Sequence, residues 1–361
     1  MRTTILLVVM SVLVWVDPTW SDKVDRLTLA NVTSPAPISA EEPLAEKFSL
    51  EQAARNLDRS TLHWQKQRKC GTCHTNFAYL MARPSLASLS PQAPEVRPFF
   101  EDMVRVRWEN EGPRWDAEVV VAASTLAFND RATTGKLHPE TRTALDRMAT
   151  LQRDDGGWDW LLCGWPPFES DDHYGVTFAA LGIGSAPGAY AESETGRKML
   201  AGIRKYLAAN APPTLHHSAM VLWSSYYVDG LVNHEERTRI LDELFALQRL
   251  DGGWAVAAFF EGWEGHVRKD DKPQDTKTSD GYATGLVLYL ARHAGVARDD
   301  PRIQRGVRWL KENQRKSGRW FTRSPTKDSR HFITNAGTAF AVMALAACGE
   351  VPGARTRRAA F

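Results

Sequence analysis

The chain has 361 residues, 43% hydrophobic and 24% charged, which is enough apolar mass to bury a core as one large domain or two ordinary ones. A formal net charge of +2 implies no strongly basic face, so a nucleic-acid partner is not expected. Met1 and Arg2, the apolar run from Ile5 to Val16 and the small residue Ser21 read as a signal peptide over residues 1–21, with an apolar stretch too short to span a bilayer comfortably. The expectation is an exported, periplasmic or extracytoplasmic protein, with an uncleaved anchor as the alternative. Residues 22–46 carry Pro35, Pro37 and Pro43, several acids and few large apolar groups, the composition of an extended linker.

Helical periodicity begins at Phe48 and alternates between two kinds of segment. Charged, one-sided segments fall near 48–66, 97–110, 140–152, 194–208, 235–248 and 301–314. Segments rich in small and apolar residues fall near 75–83, 116–129, 172–183, 215–228, 279–293 and 332–347, for example Gly175 to Leu181 and Ala336 to Leu345. A helix apolar on every side is surrounded by other helices, whereas one with a charged face meets water. The pattern therefore predicts six outer–inner helix pairs, an all-α fold. The residues 351–361 form a basic tail with Arg355, Arg357 and Arg358, read as a solvated end, with peripheral contact to anionic lipid heads as the alternative.

Three outer segments end on one unit: Gln152, Gly156 and Trp158; Gln248, Gly252 and Trp254; Gln314, Gly318 and Trp320. A unit recurring at coarse period marks a repeat architecture. The spacing suggests that Gln bonds the last free helix carbonyls, Gly allows a left-handed stop and Trp folds back as an apolar plug. A fourth, degenerate copy places Gln67, Gly71 and Cys73 on the same template. These units resemble the QW repeat of the squalene–hopene cyclase and prenyltransferase superfamily. The resemblance spans about residues 48–348 and implies a single (α/α)6 toroid over 47–350, with a central cavity whose mouth is lined by inner-helix starts. Two long connections, 159–170 and 255–278, are candidate lids.

Cys70, Cys73 and His74 form a C-x-x-C-H sequence, which can attach haem c through two thioethers with the His on iron. A Cys70–Cys73 disulfide and a metal or packed pair are the competing readings. His74, His173, His216, His217 and His331 fall near inner-helix starts, so His74, His216 and His217 are candidate metal ligands. Glu169, Ser170, Asp171 and Asp172 resemble the D-x-D-D motif of squalene–hopene cyclases, with Glu169 in place of the first Asp. By that resemblance Asp171 would protonate an alkene, with Asp172 and His173 setting its acidity and Trp160, Trp165, Tyr174 and Trp223 shaping the pocket. The same residues also read as a helix N-cap with acids in the first turn.

Two functional classes follow. One is an exported isoprenoid or triterpene cyclase or mutase, with a small-molecule or isoprenoid ligand in the cavity. The other is an exported haem c or redox module on a toroid scaffold, or a non-catalytic cavity-binding protein. The oligomeric state is not set by the sequence.

Overall fold

The computed structural model describes residues 26–69, 71, 74–261 and 267–353. Residues 1–21, Cys70, Cys73 and the tail arginines Arg355, Arg357 and Arg358 lie outside the described residues. The helices are α1 (Leu50–Arg68), α2 (Asn76–Ala82), α3 (Val96–Asp102), α4 (Trp108–Glu111), α5 (Asp116–Ala132), α6 (Pro139–Thr150) and α7 (Asp172–Ser185). There follow α8 (Glu194–Ala209), α9 (Leu215–Ser225), α10 (His234–Ala246), α11 (Gly281–His293), α12 (Pro301–Glu312) and α13 (Ile333–Ala347). A π turn, Met103–Arg107, joins α3 to α4 as one outer rod. Among the described residues the only β pairing is two isolated bridges.

Six inner helices pack side by side in the order α2, α5, α7, α9, α11, α13, and α13 returns to α2. The outer layer is α1, the α3–α4 rod, α6, α8, α10 and α12, so all six expected pairs are present. Inner helices approach closely because they carry small residues at their crossings. A methyl group on Gly285 would sit 2.5 Å from the Phe340 carbonyl carbon, and one on Gly182 would sit 2.5 Å from Ser124 Cα. Side-chain oxygens start most of the long helices: Ser49, Asp171, Ser193, Thr214, Asn233, Asp280 and Asp300 each accept a first-turn N–H, which satisfies donors the helix itself leaves free. The last inner helix differs from these. It has no side-chain cap, because the Thr334 hydroxyl is engaged by the Thr322 backbone instead.

The repeat unit works differently from the expectation. Trp158, Trp254 and Trp320 are fully buried, and each indole N–H, not the Gln, donates to a carbonyl near the end of its own outer helix: Met148 at 2.8 Å, Leu244 at 2.7 Å and Leu310 at 2.7 Å. The Gln amide instead clasps two things at once. It donates to its own Gly carbonyl and to the next outer helix: Gln152 to Gly156 and Met199, Gln248 to Gly252 and Arg302, Gln314 to Gly318 and Ser49. The left-handed Gly is borne out. Gly156, Gly252 and Gly318 have φ of 94°, 95° and 91°, and a Cβ on Gly156 would lie 1.9 Å from the Gly202 carbonyl oxygen, so only glycine fits.

The third clasp joins the last pair to the first, since Ser49 caps α1. Gln314 Oε1 also accepts the Ser49 N–H at 2.8 Å. A Gln314→Ala variant is expected to lose about 1–3 kcal/mol by orphaning these buried groups. Urea unfolding of the full chain measures it, and a loss below about 0.5 kcal/mol would mean that the ring is held elsewhere.

The degenerate fourth copy does not follow the template. Gln67 is exposed, and the reach to the next outer helix comes from buried Gln65, whose amide donates to the Glu95 carbonyl. Residues 26–46 run without a helix, through turns and extended stretches, and are tied down along the toroid. Arg319 donates to the carbonyls of Ala36 and Pro37, Arg315 to that of Glu42, and Leu29 N–H to the Glu95 carboxylate.

Candidate functional site

The candidate side chains gather where inner helices begin. His74 precedes α2, Glu169 and Asp171 precede α7, His216 and His217 lie in the first turn of α9, and Asp280 caps α11. Ring contacts connect these positions: His74 to Phe168 at 5.8 Å, Phe168 to Tyr282 at 5.6 Å, Tyr282 to His216 at 5.9 Å and His216 to His217 at 6.0 Å. The expected open cavity is filled below this level. Aromatic rings from all six inner helices touch, with Phe77 on Phe178, Tyr282 on Phe340, Trp223 on Phe340 and Phe128 on Trp223. The connection 159–170 acts as a stopper: Phe168 is buried, its carbonyl accepts the Trp160 indole N–H at 2.6 Å, and Trp165 pairs with Glu169.

Asp171 and Glu169, two residues apart, sit in opposite environments. Asp171 Oδ1 accepts the Tyr174 N–H as the α7 cap, and Oδ2 lies 2.9 Å from His217 Nε2. His217 Nδ1 lies 2.7 Å from the Thr214 hydroxyl, so both ring nitrogens are engaged and the Nε2–H is directed at the carboxylate. Burial alone would raise the Asp171 carboxyl, but the His217 hydrogen bond and charge and the Tyr174 N–H outweigh it and hold it below the usual range. Burial raises Glu169 against opposing effects of Cys163 and Lys269. Its Oε1 lies 3.2 Å from His74 Nε2, and burial pushes His74 down to about 4. Both shifts are towards the uncharged form of each group.

The other expected partners are engaged differently. Asp172 does not face Asp171; it pairs with Arg153 of the repeat unit at 2.7 Å. His173 is buried against Tyr206 and His217, and burial followed by the His217 charge brings it down to about 4. His216 Nε2 lies 2.9 Å from the Tyr282 hydroxyl. The three proposed metal ligands therefore have three separate partners, Glu169, Tyr282 and Asp171. Among the described residues no group of three or more His, Cys, Asp or Glu side chains could hold a metal ion.

The fit to haem can be tested on His74. Its ring is flanked by Phe168 at 5.8 Å and Phe332 at 6.1 Å, and Nε2 is held by Glu169. Cys70 and Cys73, the residues that would attach a haem, lie outside the described residues. His331, the fifth imidazole noted, accepts the Ser324 N–H at its own Nδ1, 3.0 Å away, and stands apart.

Nothing in the sequence signalled that Asp280, which caps α11, would be raised by burial to about 7. The Val256 and Ala283 N–H groups and the Thr322 hydroxyl all donate to it, so it staples the 256–260 turn and the 322 segment to α11 and has little acceptor capacity left. The influence of Cys163 on Glu169 was also not visible, because nothing in the chain order brings the loop back on itself.

The buried imidazoles make stability pH-dependent. His74 and His173 have folded values near 4 against about 6.5 when unfolded, so the unfolded chain binds more protons between these values. The stability is present above pH 6.5 and is lost as pH falls towards 4. Asp280, raised to about 7, contributes in the opposite sense over the same window, so urea midpoints should drop less steeply than the imidazoles alone would give, and a rise on acidification would contradict the neutral, buried state of these rings.

The fold and site define a member of the α/α toroid class. No protein-family model matches the sequence, and no curated protein matches it. Among solved structures the chain is similar to a glycosidase in complex with glucose, with 12% identity, 83% of this chain and 97% of that chain covered and a TM-score of 0.56. It is similar to a polysaccharide lyase at 11% identity, with 83% and 97% covered and a TM-score of 0.51. A type II terpene cyclase from Scytonema aligns at 11% identity over 84% of this chain and 99% of that one, with a TM-score of 0.46. The first two likenesses, at identities this low, establish the shared fold and nothing about the reaction.

Proposed function

We propose that the protein is an acid–base enzyme working at the mouth of the toroid, with Glu169 as the proton donor and Asp171, held by His217, as the base. The observation that carries this reading is that two carboxyls two residues apart are each placed on a different imidazole and pushed in opposite directions. Carboxyls whose environments separate their acidities are how a site holds an acid and a base together at neutral pH. The filled barrel below the mouth supports a ligand lying across the opening, as a sugar ring could, over one threaded down the axis. Export, which the first 21 residues suggest, would fit a substrate met outside the cytoplasm.

A second reading keeps the isoprenoid cyclase and changes its donor. The aromatic lining could stabilise a carbocation, but Asp171 is the carboxyl held ionised, so Glu169 would supply the proton.

The test is the pH–rate profile of the full chain on a panel of oligosaccharides and linear isoprenoids. A bell is expected, with its acid limb set by Asp171 and its alkaline limb by Glu169. An Asp171→Asn variant keeps the helix cap and should remove the acid limb. An acid limb that survives the substitution would take Asp171 out of the reaction.

A further inference from the structure

The rim above Glu169 is built from three partly exposed rings in contact. Trp64 meets Phe332 at 5.1 Å, and Phe332 meets Trp165 at 6.4 Å. Each ring carries cations: Arg68 lies 5.6 Å from Trp64, Arg330 lies 5.8 Å from Phe332, and Lys269 and Lys327 lie 5.7 and 5.6 Å from Trp165. The nearest acids do not neutralise this arc. Asp328 is spent on Arg268, Arg323 and Lys272, and Glu169 is drawn towards its neutral form by burial beside His74. Lys269 donates to the Cys163 carbonyl and its charge reaches the Glu169 carboxyl, but among the described residues no carboxylate stands within ion-pair distance of Lys269 or Lys327. Two ammonium groups held near one indole repel each other, and an anion that contacts both would offset that repulsion.

We infer that this arc is a binding subsite for an acidic saccharide, with a uronate carboxylate or a sulfate between Lys269 and Lys327 and the sugar's apolar face against Phe332 and Trp165. The reaction proposed above would then act on a charged sugar chain laid across the mouth, with the anionic group at Trp165 and the adjoining bond over Glu169. This assignment rests on the acid–base reading for its chemistry, but not for its affinity. A diphosphate on an isoprenoid offers similar charge, yet its hydrocarbon would need the axial space that Phe77, Phe168, Phe178 and Tyr282 fill.

Calorimetric titration of the full chain with an oligogalacturonate, a sulfated oligosaccharide, the matching neutral oligosaccharide and geranylgeranyl diphosphate tests the inference. One or both acidic sugars should bind, whichever binds identifying the anion, and added salt should weaken them. Lys327→Gln should weaken the acidic sugar about tenfold and leave the far weaker neutral sugar unchanged. Glu169→Gln should retain acidic-sugar binding while losing turnover, which separates failure of the subsite from failure of the catalytic assignment. Absence of binding by either acidic sugar, an unchanged affinity in a folded Lys327→Gln protein, or tighter binding of the isoprenoid diphosphate would overturn the assignment.

Discussion

A Glu169→Gln protein should fold normally and turn over substrate about 10²–10⁴-fold more slowly, the range expected when a positioned proton donor is removed. Gln preserves the size of the side chain and can still donate an N–H to His74 Nε2, so the 3.2 Å contact beneath Phe168 survives in kind. What it cannot do is release a proton. The loss should therefore appear in kcat with little change in KM, because the group acts on the reacting bond and the rim provides the binding. The alkaline limb of the pH profile should vanish with it. Turnover equal to the parent chain would remove Glu169 from the chemistry and leave the neutral Glu169–His74 pair as packing alone.

Trp254→Ala is expected to have the largest effect on stability, about 3–5 kcal/mol from the cavity and lost burial, with the Leu244 carbonyl left unpaired in addition. Three connections meet at this residue. Its indole N–H takes the α10 carbonyl, its backbone N–H donates to Thr284, and its carbonyl accepts from Asp280 N–H. The substitution thus loosens an outer helix and the start of the neighbouring inner helix together. Thermal or urea unfolding followed by circular dichroism gives the value. A loss under about 1 kcal/mol would show that the repeat unit is decorative at this position.

Helix number and layer were legible because they follow from short-range rules. A charged face and an all-round apolar face are local properties, and α7 and α11 fall where Gly175 to Leu181 and the run after Asp280 placed them. The roles inside the repeat were less legible. Gln152 and Trp158 are four and ten residues from the groups they could bond locally, and only the packed geometry decides that the indole takes Met148 and the amide crosses to Met199. Composition at the mouth was visible as His74, Glu169, Asp171 and His217. Pairing was not, because Asp171 meets His217 across two helices while the adjacent Asp172 turns to Arg153. Gln67 shows the limit of a template: one αL residue, Lys69, ends α1 early and hands the clasp to Gln65.

The Gln314 bond to Ser49 has a kinetic meaning as well as an energetic one. An open stack of repeats can form from any point outwards and protects its last members with polar ends. Here the sixth pair grips the first, across 265 positions of chain, so no member is terminal and the seam can close only when the other five pairs already stand. Long-range closure of that kind is slow, and the final joining of these two edges is expected to set the pace at which the molecule assembles.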